Sequence, residues 1–254
     1  MNNKYNKILI IGGTGFVGEP LVDLLSKKKD ISIHVLYSGL LPTNKLFGVR
    51  YHEMNLNKPI KISSVKLGLK DFDVAVILTQ PNIKIARNVI KIFKSAKNLK
   101  KIIFISTILV YPNSEKKLSE KTTPKPVTSY EKGKMVEEKL FAKYAQSRNV
   151  KFSIIRLANV YGNVKNRGIV SFIFRSILDK IPLTVNGDGY QKRDFIFIED
   201  AVKFIKFLIF YGQNNLLVER FNICTGQGYT IQDLIKITKK ITKKKMDITY
   251  GRSI

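Results

Sequence analysis

The chain has 254 residues and a formal net charge of +26, from 45 Lys and Arg against 19 Asp and Glu. That length can bury a real core as one large domain or two lobes, and ordinary apolar (44%) and charged (25%) fractions exclude a disordered or fibrous chain. A single cysteine, Cys224, excludes an internal disulfide and fits a reducing compartment.

The N-terminus has no long apolar stretch before Ile8, and the Ile8–Ile11 run ends at glycines, so no signal peptide is evident. The apolar runs are strand-length, short of the roughly 20 residues a membrane-spanning helix needs. A soluble cytoplasmic protein is expected. The lysines are spread along the chain, and only Lys27–Lys29 and Lys239–Lys245 cluster, both near predicted helix ends where lysine suits the dipole. Neither an aromatic-interleaved RNA-binding pattern nor a zinc spacing occurs. The reading therefore expects no nucleic-acid partner, no membrane and no metal.

Strands are predicted at Lys7–Ile11, Ile31–Leu36, Val74–Leu78, Lys101–Ser106, Lys151–Leu157 and Arg220–Ile223. Helices with apolar positions at helical spacing are predicted at Glu19–Lys28, Ile83–Ala96 and Tyr130–Arg148, with two more at Asp200–Tyr211 and Thr230–Thr242. Strand and helix in alternation imply an α/β chain with a doubly wound parallel sheet of Rossmann type. Gly, Asn and Pro punctuate Asn163–Gly168 and Ile181–Gly189, which marks a smaller lobe. The expected division is a dinucleotide-binding domain over 1–162 and a substrate lobe over 163–254, interleaved with the first.

Gly12-Gly13-Thr14-Gly15-Phe16-Val17-Gly18 follows the first strand and opens the first helix. Glycines there let the backbone turn tightly and let a pyrophosphate approach, while the helix N-terminus offers free N–H groups. The acid that normally holds an adenosine ribose is absent: Tyr37 and Ser38 end the second strand, and no Asp or Glu lies between Asp30 and Glu53. NADP stays open beside NAD, with Ser38, Lys45 and Arg50 as candidates for its extra phosphate. Asn55 is a candidate for the adenine edge.

Thr128-Ser129-Tyr130-Glu131 has the capping-box pattern, so a helix starts near Tyr130 and sets Tyr130 and Lys134 on one face. A tyrosine's ordinary pKa near 10 is too high for a base at neutral pH. A neighbouring ammonium favours the phenolate. Gly133 keeps that turn open for a close approach, and Ser106-Thr107 end the strand that precedes this helix.

These residues resemble the extended short-chain dehydrogenase/reductases, in the NAD-dependent epimerase/dehydratase branch that acts on nucleotide sugars. The resemblance covers nearly the whole chain. Gly12–Gly18 is similar to the cofactor loop, Phe104–Tyr111 to the strand carrying the catalytic hydroxyl, and Tyr130-x-x-x-Lys134 to the catalytic pair. Arg156–Gly162 and Gly187–Phe195 resemble the two segments that face a nucleotide diphosphate. The resemblance implies Thr107, Tyr130 and Lys134 as catalytic residues. It implies Gly12, Gly15, Phe16, Val17, Gly18, Ser38, Asn55, Leu78, Thr79, Ser106, Tyr130 and Lys134 as cofactor contacts, and Asn159 and Arg193 as contacts to a nucleotide-diphosphate sugar. It also implies a homodimer through Ile83–Ala96 and Tyr130–Arg148.

Three departures stand out. Dehydratases of the family usually carry Asp-Glu after the catalytic Thr, whereas Ile108 and Leu109 here exchange no protons. Leu78-Thr79-Gln80-Pro81-Asn82 is shorter than the family's usual loop. The chain stops at Ile254, earlier than a typical member, so the substrate lobe is expected to be truncated. Three functions follow in order: an NAD(P)-dependent nucleotide-sugar epimerase of the UDP-glucose 4-epimerase kind, an NADPH-dependent reductase of a nucleotide 4-keto-sugar, and a non-catalytic cofactor-binding protein with a degraded substrate site. His34 and His52 are read as structural, Cys224 as a small buried hydrophobe, and Phe204, Phe207 and Phe210 as core.

Overall fold

Short apolar runs rich in Ile and Val build the central strands of this protein. A computed structural model describes residues 5–39, 41, 45–65, 69–114, 116–162, 168–211 and 216–251, so most of the punctuated stretch at 163–168 lies outside the described residues. In chain order the elements are β1 (Lys7–Ile11), α1 (Gly18–Ser26), β2 (Ser32–Tyr37), β3 (Val49–Glu53), β4 (Val74–Ile77), α2 (Ile83–Ser95), β5 (Lys101–Thr107), α3 (Ser129–Arg148) and β6 (Lys151–Leu157). They continue with β7 (Asn159–Tyr161), α4 (Ile169–Leu178), β8 (Leu183–Asn186), β9 (Lys192–Phe197), α5 (Ile198–Phe210), β10 (Val218–Ile223), β11 (Gly228–Thr230), α6 (Ile231–Thr242) and β12 (Ile248–Gly251).

The chain divides into two units, Met1–Leu157 with Val202–Ile223, and Ala158–Ala201 with Cys224–Ile254. The first holds a seven-stranded sheet in the order β10-β6-β5-β4-β1-β2-β3. Every pairing in it is parallel. This is the Rossmann order with one added strand, and it reverses between β1 and β4, where such sheets bind ligands beyond their carboxyl ends.

Alternate strand residues decide what each face buries. Leu9, Ile11, Ala75, Ile77, Ile102, Phe104, Phe152 and Ile154 pack with Ala86, Val89, Ile92 and Phe93 of α2 and Phe141, Tyr144 and Ala145 of α3. Phe141 touches the rings of Phe93, Phe104 and Phe152 at centroid distances of 5.3–6.5 Å. Such a side chain contributes about 3–5 kcal/mol relative to alanine. On α5, the last turn is held by the buried Lys101, whose Nζ donates to the carbonyls of Leu208 (2.6 Å) and Tyr211 (2.7 Å). A cation there complements the helix C-terminus.

The second unit has its own core of Ile173, Ile177, Leu183, Val185, Phe195, Ile231 and Ile235. It contains a three-stranded sheet, β11-β9-β7, and a parallel pair, β12-β8. The Asp194 carboxylate accepts from the N–H groups of Thr225 (2.9 Å) and Gly226 (2.7 Å), fixing that turn.

Two side-chain expectations are corrected, and the structural reading of His34 and His52 gains a contact. Cys224 is exposed, because it lies just past the end of β10, in a turn. Phe204 and Phe207 are 39% and 53% exposed; they form an outward aromatic row with Tyr211 while Ile205, Leu208 and Ile209 supply the buried face of α5. His34 and His52 touch each other, Nδ1 to Nε2 at 3.0 Å with stacked rings, and burial leads the effects that lower His34 to about 4. Among the described residues, no helix is long and apolar enough to cross a membrane.

Candidate active site

The glycine-rich turn closes on itself after β1. Gly12 sits at φ +81°, a left-handed conformation that glycine alone adopts without strain, and its N–H donates to Leu36 O (2.9 Å). Gly15 N–H donates back to Gly12 O (3.1 Å). A Cβ on Gly18 would overlap the Gly12 carbonyl and lie 2.7 Å from the Gly13 backbone, so only glycine lets α1 start this close to the strand end. Helix α1 has no side-chain cap at Val17. In its first turn Glu19 N–H donates to Gly15 O (3.0 Å), Leu21 N–H donates to Val17 O (3.3 Å) and Pro20 has no N–H, so the place that fits a dinucleotide pyrophosphate is the glycine turn at the mouth of the helix.

At the end of β2, Tyr37 pairs in register with Glu53 of β3. Burial and then the Glu53 carboxylate push the Tyr37 phenol up. The carboxylate beside Tyr37 therefore comes from the neighbouring strand. Ser38 lies on the exposed bend after Tyr37. Asn55 Oδ1 accepts from Asn57 N (3.0 Å) and shapes the turn after β3.

Leu78 continues β4 by donating to Ile11 O (2.9 Å), and a Cβ on Gly12 would lie 3.2 Å from its carbonyl. Leu78 and Gly12 are therefore neighbours across the sheet reversal. Asn82 caps α2 by accepting from Lys84 N (2.9 Å). The turn between them lies against α3: a Cβ on Gly133 would come 2.8 Å from Pro81, and Lys134 Nζ donates to Thr79 O at 2.7 Å.

Helix α3 begins with the expected capping box, Thr128 Oγ1 accepting from Glu131 N (3.2 Å) and Glu131 Oε2 accepting from Thr128 N (3.1 Å). It packs on β5 and on the short 3-10 turn Ile108–Val110. This brings Lys134 to the element that ends in Thr107, with Tyr130 one turn earlier on the same helix. Thr107 Oγ1 accepts from Leu109 N (3.2 Å), which leaves its O–H to donate. Lys134 is 3% exposed, and besides Thr79 it donates to Ile105 O (2.9 Å) and lies 4.8 Å from the Phe104 ring centroid. Burial lowers its ammonium to about 8, while Glu137 and Glu138 oppose that shift. Tyr130 is 37% exposed. Sequence reasoning expects Lys134 to lower the Tyr130 phenol, but in this structure burial, and then Glu137, raise it.

Ser106 is committed elsewhere: its Oγ donates to Glu138 Oε1 at 2.5 Å. Glu138 also accepts from Arg156 Nη2 (2.8 Å) and Nε (3.2 Å), and the guanidinium lies over the Tyr111 ring. Sequence reasoning missed Glu137 and Glu138, which look like solvated helix charges. The signal was Arg156 inside the apolar run Phe152–Leu157, where a buried cation requires an acid.

The two proposed substrate contacts belong to the second unit. Asn159 Nδ2 donates to Asp194 O (3.0 Å), and Arg193 Nη1 donates to Lys192 O (2.8 Å).

Comparison with known proteins bears on this geometry. Residues 8–224 match the NAD dependent epimerase/dehydratase family. The chain is 26% identical to the uncharacterized UDP-glucose epimerase YtcB of Bacillus subtilis, over 98% of this chain and 86% of that protein. It is 30% identical to the GDP-6-deoxy-D-talose 4-dehydrogenase of Aggregatibacter actinomycetemcomitans, over 95% of this chain and 82% of that protein. Its fold matches a UDP-glucuronic acid 4-epimerase from Bacillus cereus, solved with UDP-glucuronic acid and NAD, with a TM-score of 0.86 at 24% identity, covering 98% and 87% of the two chains. With the matched span taking in the glycine turn, Thr107, Tyr130 and Lys134, the chain belongs to the NAD dependent epimerase/dehydratase family.

Proposed function

We propose that this chain is a UDP-sugar 4-epimerase of the UDP-glucose kind, working with NAD. One observation supports the reading: α3, which carries Tyr130 and Lys134, packs on β5 and on the turn after Thr107, where Ile108 and Leu109 stand in the places a dehydratase fills with acids. NAD held at the glycine turn supplies the hydride exchange at the sugar carbon. The chain's own residues bind, orient and move the proton. Tyr130 Oη takes the proton of the sugar hydroxyl and returns it after the keto sugar has presented its other face. Thr107 donates to the same oxygen and steadies the charge that grows there. Lys134 anchors this part of α3 through the carbonyls of Thr79 and Ile105. Asn159 and Arg193 bind the diphosphate, a task suited to a guanidinium fork.

Analysis of the small molecules released on denaturing the purified protein tests this. NAD together with a UDP-hexose is expected. NADP with no UDP-sugar overturns the reading and favours a reductase of a nucleotide 4-keto-sugar, a second reading supported by Tyr37 at the usual place of the ribose-binding acid.

The reading includes a cytoplasmic homodimer through α2 and α3. Their exposed charges are Lys84, Arg87, Lys91 and Lys94, and Lys132, Lys139, Lys143 and Arg148, all positive. Two copies meeting there repel at low ionic strength. Sedimentation should show more dimer at high salt than at low salt, and a monomer at every salt concentration removes the dimer from the account.

A further inference from the structure

We infer that Glu137 is a positioning residue of the proton-transfer centre, the counter-charge that holds the Lys134 ammonium and the Leu78–Asn82 turn in one arrangement. The inference rests on the hydride and proton-transfer reading above.

Glu137 lies one helical turn beyond Lys134 and is 1% exposed. Its two oxygens do different things. Oε1 accepts from Asn82 N at 2.9 Å and so ties α3 to the first residue of the α2 cap. Oε2 is enclosed without a hydrogen-bond partner and stands 3.9 Å from Lys134 Nζ. Lys134 in turn gives two protons to the carbonyls of Thr79 and Ile105. Three neighbouring residues of α3 therefore grip one short turn: Gly133 admits Pro81, Lys134 holds Thr79, and Glu137 holds Asn82.

A carboxylate is not kept in such a place for hydrogen bonding alone, because one oxygen remains unused. Its charge acts on both members of the catalytic pair. The other titratable groups facing the pair are Tyr130 and Glu138 on α3 itself, and Glu138 is committed to Arg156 of β6. β5 contributes the Phe104 ring and the Ile105 carbonyl, and the turn after β4 contributes the Thr79 carbonyl and the Asn82 amide. Glu137 favours the protonated form of Lys134 and disfavours the phenolate of Tyr130. Neutralising it moves both groups to lower pH.

Glu137→Gln separates charge from tethering, since the amide oxygen still accepts from Asn82 N–H. Two measurements on the full chain decide. First, a lysine Cε NMR titration, with the Lys134 signal assigned by its loss in Lys134→Met, should show the midpoint falling by about one pH unit in Glu137→Gln. Second, the pH profile of kcat/KM for epimerisation should move toward acid on both limbs, which a purely structural role does not produce. Glu137→Leu should in addition weaken cofactor retention by loosening the turn at Asn82. A moved midpoint in a protein that turns over no UDP-sugar supports the role of Glu137 and overturns the epimerase reading. Turnover with an unmoved midpoint and an unmoved profile overturns the inference. Should Glu137→Gln not fold, the same titration on Glu137→Asp decides, with a smaller shift in the same direction expected and no shift refuting.

Discussion

Glu138→Gln should be among the most damaging single changes in the first unit, although it lies on the helix surface in any linear reading. Glu138 and Arg156 side chains are 4% and 3% exposed, and two hydrogen bonds of 2.8 and 3.2 Å join them. Ser106 adds a third contact at 2.5 Å. Removing one member of such a pair leaves the other charge buried without its counter-charge, at a cost of about 3–5 kcal/mol. That is a large part of the roughly 5–15 kcal/mol by which domains are stable. At about 2–4 °C per kcal/mol for a chain of this size, Tm should fall by roughly 10 °C. Urea unfolding of wild type, Glu138→Gln, Arg156→Leu and the double variant Glu138→Leu/Arg156→Leu measures it. The double variant buries no charge and should recover most of the loss, less about 1 kcal/mol for the stranded Ser106 hydroxyl. A single-variant cost under about 1 kcal/mol, or a double variant as poor as the sum of the singles, refutes the reasoning.

Tyr130→Phe should lower kcat by roughly 100- to 10,000-fold while leaving NAD binding intact, as read by turnover and by calorimetry; wild-type turnover in this variant removes Tyr130 from the proton path. Gly18→Ala should push the start of α1 off the glycine turn, costing about 1–3 kcal/mol and weakening NAD more than UDP-sugar; equal affinity for NAD contradicts the cradle. Lys134 has a folded pKa of about 8 against an ordinary 10.5. The burial penalty on its ammonium is therefore full below pH 8 and is relieved as pH rises toward 10.5, since the unfolded chain then binds more protons. Wild type should gain stability over Lys134→Met between pH 8 and 10, by up to about 3 kcal/mol. A flat difference across that window shows that Lys134 is not desolvated.

The first unit was largely legible from the sequence because its central strands are runs of apolar residues, whereas the edge strand β3, Val-Arg-Tyr-His-Glu, is mostly polar and goes unpredicted. Lys7–Ile11, Lys101–Thr107 and Lys151–Leu157 announce buried parallel strands, and Thr128–Glu131 announces where α3 begins. The second unit was not legible in the same way. Its strands β7 and β11 are three residues each and β8 is four, alternating buried and exposed, too short for a period to show. The proposed catalytic residues Thr107, Tyr130 and Lys134 were visible as motif spacing. What surrounds them was not, because Glu137 and Glu138 on a helix rich in Lys and Glu look solvated until the fold buries them against the Asn82 amide and Arg156. The aromatic residues of α5 misled for the opposite reason: Phe204 and Phe207 fit a helical stripe, and the buried stripe is the adjacent one through Ile205, Leu208 and Ile209.

The central claim is epimerisation, in which a hydride leaves and returns to one sugar carbon while a proton leaves and returns to the oxygen that carbon bears. Purified protein with NAD and UDP-glucose, followed by the anomeric proton signals in NMR while the reduced-nicotinamide band is recorded, tests it most directly. The account predicts the growth of the 4-epimer to a constant ratio from either direction, with no net gain of reduced nicotinamide. Steady accumulation or consumption of reduced nicotinamide in step with the sugar, or no change in UDP-glucose, UDP-glucuronic acid or UDP-N-acetylglucosamine, contradicts it.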